Sequence, residues 1–198
     1  MSRTPRPPAL IDALDTREAV GFSGPLWRVV TSGYDVLRPG RSGGRWDDGS
    51  FDVLYTAVER DGAMAEAYFH AYKGQPVLPS KINKTLHQID ANFSRVLDLT
   101  GEGVLAEIGA NITQFGRLHY VERESEYPSL QQIAEVAFFL EFEGVLVPNA
   151  RWSCANLVIF NERTKPDQLI VTANEPIDLA IWHRTVGGRE RSPSIRLV

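Results

Sequence analysis

Arg28, Arg38, Arg41 and Arg45 lie within eighteen residues whose only acid is Asp35, a local charge of +3 in a chain whose net charge is −4. Glycines interleave with them, most densely in GRSGGRW at 40–46. Glycine backbone can approach an anion closely and arginine offers a planar fork of donors, so the combination suits a phosphate or diphosphate. The competing reading is a solvated, charged loop, the usual fate of such residues. The stretch lacks the GK[ST] ending of a Walker loop, and the chain contains no G-x-G-x-x-G dinucleotide fingerprint. A second candidate is Glu66. Helical spacing sets it beside His70 at i+4 and away from a stripe of Met64, Ala67, Tyr68 and Ala71. A carboxylate there either solubilises a helix or serves a reaction that builds positive charge.

Other reactive types are less organised. His70, His87, His119 and His183 have no metal-ligand spacing, and DDG at 47–49 lacks the remaining ligands of a calcium loop, so it reads as a turn. No metal is expected. Cys154 is the only cysteine, which excludes an internal disulfide and fits a reducing cytoplasm. In VPNARWSCANLVIFNE, the small polar residues Asn149, Ser153 and Asn156 interrupt two apolar strands. They either line a site or satisfy turn backbone.

These residues need a scaffold, and 198 residues with 43% hydrophobic and 23% charged side chains suffice for one globular domain. The slight acidic excess argues against a generally basic nucleic-acid binder. No apolar run approaches a membrane span or a secretory leader, which points to a cytoplasmic protein with no membrane partner. Residues 1–8 hold three prolines and read as a loose arm, followed by a short helix from Ala9 to about Val20. LWRVV (26–30) and FDVLYTA (51–57) read as strands around a glycine-rich loop, and Asp61 caps a helix running to about Lys73. TLHQI and RVLDL read as two short strands, and 102–110 as a helical turn or two. Residues 130–142 read as the best helix, with Ser129 and Gln132 at capping-box spacing. GVLVP, NLVIFN, QLIVTA and DLAIWH read as further strands. The expected class is a single α+β domain.

Taken together, LWRVV, GGRWDDGSFDVLYTA, AMAEAYFH and GVLVPNARWSCANLVIF resemble the RES domain family, the toxin half of Xre–RES toxin–antitoxin pairs. Arg45 to Tyr55 is ten residues and Tyr55 to Glu66 eleven, in agreement with the family pattern. The resemblance places an N-terminal arm and short helix at 1–25 and the RES domain at 26–198. It implies a fold similar to bacterial ADP-ribosyltransferase toxins, with small mixed or antiparallel sheets, flanking helices, and NAD in a cleft between the sheets. It also implies that NAD is a consumed substrate, cleaved at the nicotinamide–ribose bond with water, phosphate or a protein side chain as acceptor. Glu66, Arg45 and Tyr55 are then the catalytic candidates, and Arg28, Arg45, Tyr55, Asn149 and Ser153 the NAD-binding ones. Asn149 stands where the family usually has serine, with Ser153 four residues on. An Xre-type helix-turn-helix antitoxin is the implied partner, and DNA binding would reside there. A nucleotide-binding module without catalysis and a nuclease are the readings from other classes.

Overall fold

A computed structural model describes residues 6–41, 43–72, 83–110 and 127–187. Eleven named elements follow one another: α1 (Pro8–Asp15), β1 (Val20–Thr31), β2 (Val53–Ala57), α2 (Arg60–Tyr72), β3 (Lys84–Asp98), α3 (Val104–Glu107), α4 (Tyr127–Phe139), β4 (Gly144–Pro148), β5 (Ala155–Phe160), β6 (Leu169–Ile177) and α5 (Leu179–Trp182). The α+β class is as expected, but the small separate sheets are not. All six strands form one sheet in the order β1-β2-β5-β4-β3-β6, and β3 also pairs with β1, so five strands close into a barrel with β6 attached outside. Among the described strands, only β3 and β4 pair in parallel.

The length of β3 makes this closure possible. TLHQI and RVLDL are one fifteen-residue strand rather than two, because the strand changes partner midway without a turn. One edge of β3 pairs with β1 from Lys84 to Val96; the other pairs with β6 as far as Ala91 and with β4 from Val96. Strand alternation then sorts the apolar side chains. Leu26, Leu54, Ile89, Leu146 and Leu157, one from each ring strand, belong to the cluster that fills the barrel. Val53, Val145, Val158 and Phe160 point the other way, onto α1 and α4, in a second cluster with Leu14, Leu130 and Ile133. A third cluster joins Met64 of α2 to Leu86, Leu179 and Trp182. Each fully buried leucine contributes roughly 1.5–3 kcal/mol.

Three further expectations are corrected. Residues 6–8 of the supposed loose arm are tied down: Arg6 forms a bidentate pair with Glu135 and lies 4.2 Å from the Phe139 ring centre. DLAIWH is helical, because the Asp178 side chain caps α5 by accepting from Ala180 N and Ile181 N. Ser129 lies within α4 rather than at its cap, and α4 ends at Phe139 before Glu141 turns to φ 65°. His119 and the first five residues lie outside the described residues. Among those described, no helix is long and apolar enough to cross a membrane.

Candidate active site

β1 and β2 pair only at Trp27 and Ala57 and then diverge. The opening between them, roofed by α2 and the 32–52 segment, is a cleft of about 710 Å³, within the roughly 300–1,000 Å³ usual for small-ligand sites. Arg28, Arg45, Tyr55 and Glu66 all line it.

Arg28 sits where the backbone ladder stops. Its Nη1 donates to Tyr55 O (3.1 Å) and its Nη2 to Arg38 O (3.4 Å), so a side chain bridges the separating strands. Burial lowers its pKa, against a smaller raising effect of the Asp35 carboxylate. Among the described residues this half-buried guanidinium makes no ion pair, so on the cleft wall it is a ready anion site.

Arg45 is positioned by the glycine turn before it. Asp47, fully buried, accepts from Gly43 N (2.8 Å), Gly44 N (2.9 Å) and the Tyr55 hydroxyl (3.0 Å). Gly43 adopts φ 65°, and a Cβ on Gly44 would come within 2.6 Å of the Tyr55 hydroxyl, so both glycines are required. Gln131 of α4 donates to Gly44 O (2.8 Å), and the Arg45 guanidinium carbon lies 5.8 Å from the Tyr127 ring centre. The turn falls at Arg45 and Trp46, just ahead of DDG, which only bends at Gly49, and the first aspartate of DDG organises the arginine loop.

Tyr55 lies beneath that loop. Its hydroxyl donates to Asp47 and accepts from Trp46 N (3.0 Å). Burial, with the Asp47 charge second, raises the phenol pKa well above 10.0. The hydroxyl is therefore neutral and already engaged, leaving the ring for a ligand.

Glu66 projects from α2 with a quarter of its side chain exposed, and its Oε2 is 3.8 Å from His70 Nε2. It is thus a half-buried cleft carboxylate rather than a freely solvated one. The arginine cluster divides. Arg38 also lines the cleft, whereas Arg41 is committed to Asp52 (2.7 Å) and Glu162 (2.9 Å) and is absent from the lining.

Asn149 and Ser153 are not among the lining residues. Ser153 is exposed. Asn149 is buried, and its Oδ1 accepts from Arg151 N (2.7 Å) and Trp152 N (3.0 Å) while its Nδ2 donates to Asn156 Oδ1 (2.7 Å). Its hydrogen-bonding capacity holds the β4–β5 turn. Pro148, Arg151 and Asn156 are the members of this segment that reach the cleft. An arginine inside a polar turn between two apolar strands was the available sign of Arg151. Among the described residues, no group of three or more His, Cys, Asp or Glu is placed to hold a metal ion.

This chain is similar to NAD(+) phosphorylase MbcT of Mycobacterium tuberculosis, 27% identical over 180 residues that cover 87% of this chain and 92% of the relative. The MbcT of Mycobacterium bovis matches to the same extent. The crystal structure of the M. tuberculosis MbcT–MbcA toxin–antitoxin complex contains a chain that superposes with a TM-score of 0.76 at 25% identity, covering 91% of this chain and 98% of that one. The RES domain model matches residues 25–182, and the chain belongs to the RES domain family.

Proposed function

We propose that this protein is an NAD-degrading toxin that cleaves the nicotinamide–ribose bond and passes ADP-ribose to phosphate or water. The observation that carries the reading is the gathering of Arg28, Arg45, Tyr55 and Glu66 on one cleft. The similarity to an NAD(+) phosphorylase supports it.

The geometry suits the chemistry. Breaking the bond leaves the electron pair on nicotinamide, which departs neutral, and builds oxocarbenium-like positive charge on the ribose. Glu66 would face that charge from a partly desolvated position, where a fixed carboxylate stabilises it better than water does. Arg28 and Arg45 would hold the diphosphate, and Arg28 has donors left after its two carbonyl bonds. Tyr55 would offer its ring to the nicotinamide, since its hydroxyl is engaged with Asp47 and Trp46. Asn149 would act through the turn that it braces. A kinship of the barrel to ADP-ribosyltransferases is part of the same proposal, because that reaction begins with the same bond cleavage.

The similarity to a toxin solved with its antitoxin supports a neutralising protein partner for this chain as well. In the proposal the partner is of the Xre-type helix-turn-helix class and carries the DNA contacts, and the toxin acts on the cytoplasmic NAD pool.

The test is product analysis of purified protein incubated with NAD, with and without phosphate, beside Glu66→Gln. Wild type releases nicotinamide. Glu66→Gln keeps its fold and loses turnover by about 10²–10³-fold, the usual effect of removing one transition-state electrostatic contact. A folded Glu66→Gln with full turnover refutes the role of Glu66. A wild type that binds NAD without releasing nicotinamide refutes the activity.

A further inference from the structure

Among the described residues, five cationic side chains line the cleft against two carboxylates, Asp35 and Glu66. NAD carries one net negative charge, so the described lining residues present more formal positive charge than the dinucleotide alone would balance. Water as acceptor would need none. The cations also divide by origin. Arg28, Arg38 and Arg45 come from β1 and the segment after it, and Lys84, from the start of β3, donates to Thr31 Oγ1 (2.9 Å). Arg151 comes from the β4–β5 turn.

Two contacts among those of Arg151 help to place it. Its backbone N–H donates to the buried Asn149 side chain, and its guanidinium carbon lies 3.5 Å from the Phe69 ring centre. Phe69 follows Glu66 by three residues on α2, and i,i+3 side chains are neighbours on a helix surface. The guanidinium is therefore held against α2 one turn beyond Glu66, and both side chains line the same cleft. An anionic acceptor approaching the ribose beside Glu66 is repelled by it unless a cation stands close by. Arginine's fork fits the tetrahedral oxygens of phosphate.

We propose that Arg151, seated on Phe69 and braced by Asn149, binds the inorganic phosphate that accepts ADP-ribose. This rests on the function proposed above. In the step, an oxygen of HPO₄²⁻ forms a bond to the ribose carbon as the carbon–nitrogen bond breaks. The electron pair of that bond returns to the pyridinium ring. Nicotinamide and ADP-ribose-1″-phosphate result, the phosphate keeps its proton, and no further reactant is needed. Arg151 supplies charge and orientation, so that phosphate competes with water.

The test measures nicotinamide, ADP-ribose and ADP-ribose-1″-phosphate from the full chain and NAD over a range of inorganic phosphate. Arg151→Gln raises the phosphate concentration for half-maximal phosphorolysis tenfold or more and shifts product toward ADP-ribose. Arg151→Lys recovers part of that loss. An Arg151→Gln enzyme with wild-type phosphate dependence and product ratio overturns the assignment. So does a parallel rise in the NAD and phosphate requirements, which would place Arg151 on the dinucleotide. If Arg151→Gln fails to fold, Phe69→Leu, which takes the ring from beneath the guanidinium, raises the phosphate requirement at least threefold; no rise overturns the proposal. Wild type that releases nicotinamide with ADP-ribose alone at every phosphate concentration removes the acceptor and this site while leaving NAD cleavage standing. No nicotinamide at all is instead the failure of the underlying reading.

Discussion

Replacing Asp47 by asparagine tests whether one buried carboxylate holds the arginine loop. The carboxylate accepts from three donors, two of them backbone N–H groups at 2.8 and 2.9 Å, and makes no ion pair among the described residues. Asparagine is nearly isosteric but has one acceptor oxygen. In either orientation its NH₂ faces Gly43 N–H or Gly44 N–H, so one bond becomes a donor–donor opposition and the other loses its charge. A hydrogen bond to a charged group contributes about 1.5–3 kcal/mol, so weakening one and losing the other costs the loop about 3 kcal/mol. That corresponds to roughly a hundredfold rise in the population of the opened loop. Native-state hydrogen exchange read by NMR gives the answer residue by residue. The Gly43, Gly44 and Trp46 amides should exchange about a hundredfold faster, while the barrel amides of Leu54, Val158 and Ile159 stay protected. Unchanged protection at Gly43 and Gly44 would refute the reasoning. Equal loss across the barrel would also refute it, by showing that Asp47 supports the whole fold rather than the loop.

Two further outcomes concern stability. Burial alone would raise the Glu143 pKa, but hydrogen bonds from Gln168 Nε2, the Arg95 and Ser94 amides and Ser94 Oγ outweigh it and lower the value below 4.5. A carboxylate whose pKa is lowered on folding stabilises the fold above its unfolded value and loses that contribution as pH falls through the folded one. Glu143→Gln should therefore cost about 2–4 kcal/mol at neutral pH and flatten the acid limb of stability, measured by urea unfolding from pH 7 down to pH 3. At Gly62, an added Cβ would run into Cys154 Sγ and come within 3.2 Å of Asn149 Nδ2. Gly62→Ala should destabilise by about 1–3 kcal/mol, and adding Cys154→Ala should recover much of it, as a double-mutant thermal-unfolding cycle will show.

Local pattern made several of these elements readable. GVLVP and NLVIF are β-branched and bounded by turn residues, and Met64 and Ala67 mark the packed side of α2. Pattern fails where long-range pairing decides. The stretch between TLHQI and RVLDL reads as separating two strands, yet β3 continues because β1 pairs across it, with β6 beside the strand as far as Ala91 and β4 from Val96. DLAIWH has strand composition, but one aspartate cap makes it helical. At the site, the Arg45, Tyr55 and Glu66 spacing is legible within one supersecondary unit and its glycine-rich loop. Arg151 is not, because its nearness to α2 depends on a stacking contact across more than eighty residues of chain. Asn149 shows a related limit: its type suits both a ligand contact and a turn brace, and only the positions of Arg151 N and Trp152 N distinguish them.

The closure of the barrel also sets an order of events during synthesis. Arg28, Arg45, Tyr55 and Glu66 are all translated within the first third of the chain, but β2 finds its partner in β5, with Val53 opposite Phe160. Until that distant strand leaves the ribosome, β2 lacks its five-residue ladder and has little more than its one pairing with β1 at Trp27 and Ala57, and the turn bearing Arg151 does not yet exist. Pairings of such sequence separation form late, because the loop-closure entropy must be met before the contacts compensate it. A nascent chain therefore exposes every proposed catalytic side chain well before it can assemble a cleft. Activity then begins with ring closure rather than with the synthesis of the residues themselves, which leaves an interval in which the host has made the parts of a toxin but not yet the toxin.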